Sequence, residues 1–178
     1  MISNNQINID IILKTKIPFV FLGGIHGVGK TSFCNDYLAP AGYHCISASS
    51  LIKASNSFQD KTKQVRDLED NQRALLSMLA LEKQKHSHLV LDGHFCLKIN
   101  QDSFKEIPTR FFKKIAPNAL ILLQDKPQKI VSRLQKRDGS IWSTSFVRDF
   151  QIAEEKHAMS ISRELKIPLT ILNPTNKL

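Results

Sequence analysis

Residues Gly24-Ile25-His26-Gly27-Val28-Gly29-Lys30-Thr31 carry the densest chemical signal in the chain. They read G-x-x-x-x-G-K-[ST], the spacing of a phosphate-cradling P-loop. Glycines at 24, 27 and 29 let the backbone turn tightly, so successive N–H groups can point inward at an anion. A following helix adds the positive end of its dipole. On this reading Gly24, Gly27, Val28, Gly29, Lys30, Thr31 and Ser32 cradle nucleotide phosphates. Lys30 reaches the β- and γ-phosphates, and Thr31 holds Mg²⁺ through its hydroxyl. His26 is a variable position of the loop that contributes backbone only.

Asp92 is the second anchor. It ends the apolar run His88-Leu89-Val90-Leu91-Asp92, and a carboxylate there belongs in a Mg²⁺ shell. The Asp-Gly pair that follows is also a common turn, so a capping role is the alternative. His94 lies two residues on and would face the crevice at the carboxyl ends of the strands. It would contact a phosphoryl acceptor or order a water, or serve as a plain structural histidine. Arg133 and Arg137, four apart, share one helix face. From there they would close over the phosphates and exclude water, which makes Lys30, Asp92, Arg133 and Arg137 the candidate catalytic set. The alternative is a solvated basic face. For an acceptor the candidates are Ser47, Ser49, Lys53, Arg66, Arg73 and His94. Arg66 and Arg73, seven apart, fall on one helix face, but Asp67, Glu69 and Asp70 make a salt-bridged surface helix the alternative. Arg148 reads as a surface helix residue.

Those residues need strands and helices to place them. Ile17 to Leu22 is an apolar run of strand length before the loop, with Pro18 near its start where proline is tolerated. Thr31 to Leu38 has one apolar helical face, stopped by Ala39-Pro40-Ala41-Gly42. Further strands are expected at 43–47, 88–92, 119–123 and 169–172. Helices are expected at 48–54, 65–85, 109–115, 127–136 and 145–165, with Pro127 suited to a first turn. Residues 56–61 read as a polar connection. Five short apolar strands alternating with helices predict an α/β fold: a P-loop NTPase-like, parallel five-stranded sheet with helices on both faces. Residues 1–178 read as one nucleotide-binding domain, with 1–16 as an N-terminal extension that is either strand or helix.

Composition narrows the classes. At 178 residues, with 42% hydrophobic and 23% charged residues, the chain suits an ordinary globular domain. No apolar stretch approaches a membrane span, and residues 1–10 lack a signal-peptide core, so a cytoplasmic location is expected. Cys34, Cys45 and Cys96 lack metal-ligand spacing and read as reduced structural thiols. The formal net charge is +9, from 25 Lys+Arg against 16 Asp+Glu. Spread along the chain without an RNA-binding signature, it favours basic groups gathered round a polyphosphate over a nucleic-acid face.

The chain resembles the small nucleoside monophosphate kinases of the adenylate kinase superfamily, and among them the archaeal-type adenylate kinases. The resemblance spans residues 17–172 and rests on five segments. These are the P-loop, Ile46 to Lys53 as the start of a monophosphate-binding region, Leu91-Asp92-Gly93-His94 as the Asp-x-His, Ala119 to Pro127 with Arg133, and Arg137-Asp138 as the lid's Arg-Asp. It departs from the pattern in having Lys53 where many members place an arginine, and in a short lid, Asp138 to Thr144, containing Trp142. The resemblance implies ATP and Mg²⁺ as cofactors and γ-phosphoryl transfer from ATP to a nucleoside monophosphate. Two alternatives stand beside it. One is a kinase of another small substrate. The other is a P-loop ATPase or nucleotide switch working with a protein or ribonucleoprotein partner.

Overall fold

The computed structural model describes residues 9–57, 68–100 and 102–173. Its centre is a parallel sheet of β1 (Phe19–Gly23), β2 (His44–Ser47), β3 (Leu89–Asp92), β6 (Ala119–Leu123) and β7 (Leu169–Leu172), in the order β2-β3-β1-β6-β7. All neighbouring pairs are parallel, as expected of strands joined by helical crossovers. The expected first strand starts two residues late because Pro18 has no N–H to donate; its carbonyl still accepts from Leu89 N at 2.8 Å.

The strands are apolar throughout because both sheet faces are covered. In β1, Val20 and Leu22 join one buried cluster while Phe19 and Phe21 join the other. In β6, Ala119, Ile121 and Leu123 alternate with Leu120 and Leu122 in the same way. Burying each such large side chain contributes about 1.5–3 kcal/mol before chain entropy is counted.

The helices are α1 (Ile9–Thr15), α2 (Lys30–Phe33), α3 (Ala48–Ser57), α4 (Leu68–Lys85), α5 (Thr109–Ile115), α6 (Pro127–Asp138) and α7 (Thr144–Leu165). The N-terminal extension is thus helical where it is described. α2 continues as a π-helical turn, Cys34–Leu38, in which Ala39 N donates to Cys34 O at 2.8 Å. α6 starts on Pro127 and ends on Gly139, whose φ of 69° accommodates a left-handed cap. α7 is capped by Ser143, whose hydroxyl accepts from Phe146 N. A short antiparallel hairpin, β4 (Cys96–Lys98) with β5 (Phe104–Glu106), follows β3 and was not expected from the sequence. The cysteines are free, with Cys34 and Cys96 buried. No helix among the described residues is long and apolar enough to cross a membrane.

Candidate functional site

Sheet register assembles the site. Leu22 pairs with Asp92, and Asp92 pairs with Ser47. The carboxyl ends of β1, β3 and β2 therefore lie abreast, and the P-loop leaves β1 directly beside Asp92. The loop turns at glycines that cannot be replaced. Gly24 has φ 141°, and a Cβ there would stand 2.8 Å from Leu123 O. Gly27 has φ 77°, and its Cβ would stand 2.8 Å from Leu134 Cγ.

A cleft of about 760 Å³ opens at these strand ends. Gly27, Gly29, Lys30, Thr31, Ser32, Ser47, Ser49, Asp92, His94, Arg133 and Arg137 all border it, so the structure brings most of the expected residues together. Lys30 Nζ donates to Gly24 O at 2.7 Å and lies 3.7 Å from Asp92 Oδ1. Burial pushes the Lys30 pKa down against the pull of Asp92, and pushes the Asp92 pKa up against the pull of Lys30. Each desolvated charge thus leans on the other.

Several residues play other parts than expected. Lys53 is exposed and lies outside the cleft, because Ile52 faces inward and the next helical residue points about 100° away. Arg73 is exposed for the same reason, beside Asn71 and Gln72, which do line the cleft. Arg66 lies outside the described residues. Val28 is fully buried and can offer only its backbone. Gly24 lies outside the cleft lining and acts through the carbonyl that holds Lys30. His26 does more than expected: its ring borders the cleft 4.3 Å from that of His94 and 6.2 Å from Trp142. Ser47 Oγ accepts from Ser50 N at 3.1 Å, so it also caps α3.

The two arginines differ. Arg133 pairs with the buried carboxylate of Asp125 and donates to Gly27 O and Val28 O at 3.2 and 3.3 Å. It borders the cleft but is tied to the P-loop carbonyls rather than standing free over the phosphates. Burial alone would raise the Asp125 pKa, but the Arg133 and Lys126 hydrogen bonds outweigh that and hold it low. Arg137 is mostly exposed, and its guanidinium pairs with Asp138.

Sequence reasoning missed the support built by α7. Gln151 Oε1 accepts from Asp125 N at 3.0 Å, and its Nε2 donates to Asp125 O at 2.9 Å. Glu154 Oε1 accepts from Phe95 N at 2.9 Å and Cys96 N at 3.0 Å, and lies 3.9 Å from His94 Nδ1. Burial pushes the Glu154 carboxyl up to about 7, against those N–H groups and Lys30. Burial, followed by Lys30 and His26, holds His94 well below the ordinary imidazole value, so the ring is neutral. His157 Nε2 lies 2.6 Å from Ile107 O. The signal was present as polar residues at 151, 154 and 157 interrupting the apolar stripe of α7. The residues of the apolar cleft wall, Phe21, Ile52, Leu75, Leu97, Ile107 and Phe111, were not singled out from the sequence.

The fold has solved relatives at low identity. A gluconokinase from Sinorhizobium meliloti is 15% identical over 90% of this chain and 85% of its own, with a TM-score of 0.53. A tunicamycin resistance protein from Deinococcus radiodurans is 14% identical over 86% of this chain and 98% of its own, at 0.52. A shikimate kinase from Bacteroides thetaiotaomicron is 18% identical over 88% and 86%, at 0.53. These likenesses establish a P-loop kinase fold. No curated protein matches the chain. Residues 23–144, from the end of β1 through the P-loop, Asp92 and α6 to the start of α7, match the AAA domain family, and the chain belongs to that family of P-loop proteins.

Proposed function

We propose that the chain is an ATP-dependent phosphotransferase that moves the γ-phosphoryl group to a small acceptor, with a nucleoside monophosphate as first candidate. One observation carries the reading. The same cleft that Lys30, Thr31 and Asp92 border is also lined by an apolar group, Ile52, Leu75, Leu97, Ile107 and Phe111, with Ser47, Asn71 and Gln72. Apolar walls with a few directed polar groups suit a flat organic acceptor. A site for hydrolysis alone has little use for so extended an apolar lining.

The chemistry asks for position and charge more than for covalent participation. The backbone of Gly27 to Ser32 would cradle the donor phosphates, and Lys30 would exchange the Gly24 carbonyl for a phosphate oxygen. The Thr31 hydroxyl and Asp92 carboxylate, both bordering the cleft, are hard oxygen donors that suit Mg²⁺. That ion would neutralise charge on the phosphates. Arg137 and Lys30 would face the charge that develops on transfer, while Arg133 keeps the P-loop in shape. Neutral His94 would accept a hydrogen bond from the acceptor or from a water.

The test is ADP release from ATP in the presence of nucleoside monophosphates, nucleosides, gluconate and shikimate, the last two because structural relatives bear those names. Stimulation by one acceptor supports the reading and identifies its class. Slow turnover that no acceptor accelerates overturns it and favours an ATPase or switch acting with a protein or ribonucleoprotein partner.

A further inference from the structure

At the opposite end of the sheet from the cleft, β2 starts and α4 ends beside each other. We propose that His44, Glu82 and His86 there form a binding site for a divalent transition-metal ion of the zinc type. Nothing in the phosphotransferase reading uses these residues. They are the one group of this kind among the described residues, with ligand atoms all within 4.8 Å of one another.

The geometry comes from local structure. Glu82 lies in the last turn of α4 and His86 directly follows the helix, its N–H donating to Glu82 O at 3.1 Å, which sets the two residues one turn apart on one face. His44 is the first residue of β2, and its N–H donates to His88 O at 2.9 Å, which ties it beside the chain that leaves α4. Glu82 Oε2 is 3.8 Å from His44 Nε2 and 3.5 Å from His86 Nε2. A tetrahedral Zn²⁺ with bonds of about 2.0–2.2 Å separates its ligand atoms by roughly 3.4 Å. Two of the edges therefore need only tenths of an ångström.

The rings need more. They stack at 3.7 Å with planes 7° apart, and a metal must lie in the plane of each ring it binds. Binding therefore splays the pair by rotation about Cβ–Cγ, and side-chain exposures of 41% and 34% leave room for it. Each neutral ring offers its Nε2 lone pair in the Nδ1–H tautomer, and a protonated ring releases one proton. The Glu82 side chain is only 11% exposed, and Lys85 Nζ holds its other oxygen at 2.9 Å, so the acceptor carboxylate is already fixed. Lys85 is also the competing cation. Lys83, in the same turn, is engaged elsewhere, on Ile115 O and the Phe19 ring.

Two further features favour a cation. The carboxyl end of an 18-residue helix carries partial negative charge. Two imidazoles and one carboxylate select Zn²⁺, Ni²⁺ or Cu²⁺ over Mg²⁺, so an ion at the nucleotide end does not compete. The ion would join β2, which ends at Ser47, to α4, which carries Asn71, Gln72 and Leu75. It would thus clamp two elements whose other ends contribute residues to the cleft.

Zn²⁺ is titrated calorimetrically into the full chain, free of nucleotide and Mg²⁺. The variants are His44→Ala, His86→Ala, the double variant and Lys85→Ala, each melted first without metal. Wild type should bind one Zn²⁺ more than the double variant, and each single histidine variant should bind at least about tenfold more weakly. Lys85→Ala should bind severalfold more tightly, a gain that misfolding cannot produce. Zn²⁺ should raise the melting temperature of wild type and leave the double variant unmoved. Equal stoichiometry and affinity in wild type and the double variant overturns the site. So does a Co²⁺ complex whose spectrum shows thiolate charge transfer, which would place the ion on cysteines.

Discussion

Replacing Glu154 by Gln removes one buried charge while keeping an oxygen for the Phe95 and Cys96 N–H groups. The folded carboxyl titrates at about 7 and the unfolded one at 4.5. Between those values the folded chain keeps a proton that the unfolded chain has released. The stabilisation is full below pH 4.5 and is lost as pH rises through 7. The gap converts to roughly 3 kcal/mol. His26, held at about 4 by burial and then by Lys30, and His94, also lowered, act in the opposite sense: they cost stability as pH falls below 6.5. Both histidines are present in both proteins, so the difference between the two curves reports Glu154 together with its coupling to Lys30 and to His94, 3.9 Å away. Thermal melts of wild type and Glu154→Gln across pH 4.5–8 should therefore diverge by about 6–12 °C in favour of the variant at the alkaline end. A difference that stays constant across the range would refute the reasoning and leave Glu154 as an ordinary packing residue.

Lys30→Ala should reduce acceptor-stimulated turnover at least about 100-fold with the melt unchanged in character, because backbone N–H groups cannot replace a cation at the transferring phosphate. Near wild-type turnover would remove the P-loop from catalysis. Asp92→Asn should bind ATP without Mg²⁺ much as wild type does but lose the gain that Mg²⁺ brings, measured by calorimetry at two Mg²⁺ levels. Arg133→Ala should destabilise the fold by about 2 kcal/mol, less than a fully buried pair because Arg133 is 37% exposed, since the buried Asp125 carboxylate loses the guanidinium while keeping the Lys126 N–H. Arg137→Ala should leave the melt alone and lower kcat more than it changes KM for ATP. Equal effects of the two arginine substitutions on stability would contradict the bracing role of Arg133.

The features legible in the sequence were those carried by neighbours along the chain. The P-loop spacing, the apolar strand before it and Asp92 at a strand end are local patterns, and each strand of the sheet appears within two residues of its expected place. Pro127 marks the start of α6 because it acts through its own backbone angle, while the helix runs two residues past its expected end, to Asp138, before Gly139 caps it. The register that sets Ser47, Asp92 and Leu22 abreast came only with the structure, because strands apolar on both faces carry no alternation that would fix it.

What tertiary structure alone decided depends on partners far away in sequence. Glu154 meets Phe95 and Cys96 across 59 and 58 residues, and Arg133 meets the loop carbonyls across 105 and 106. No periodicity along α6 or α7 encodes such meetings. Lys53 and Arg73 were assigned to the cleft by charge, but helix rotation turned Ile52, Asn71 and Gln72 inward in their place. The β4–β5 hairpin has strands too short to alternate visibly, and it exists because Glu154 and the neighbouring core hold its first strand. Residue type and spacing set which chemistry the chain can offer. Which side chains face the cleft was set by packing, because a helix presents only one side to a sheet already in place.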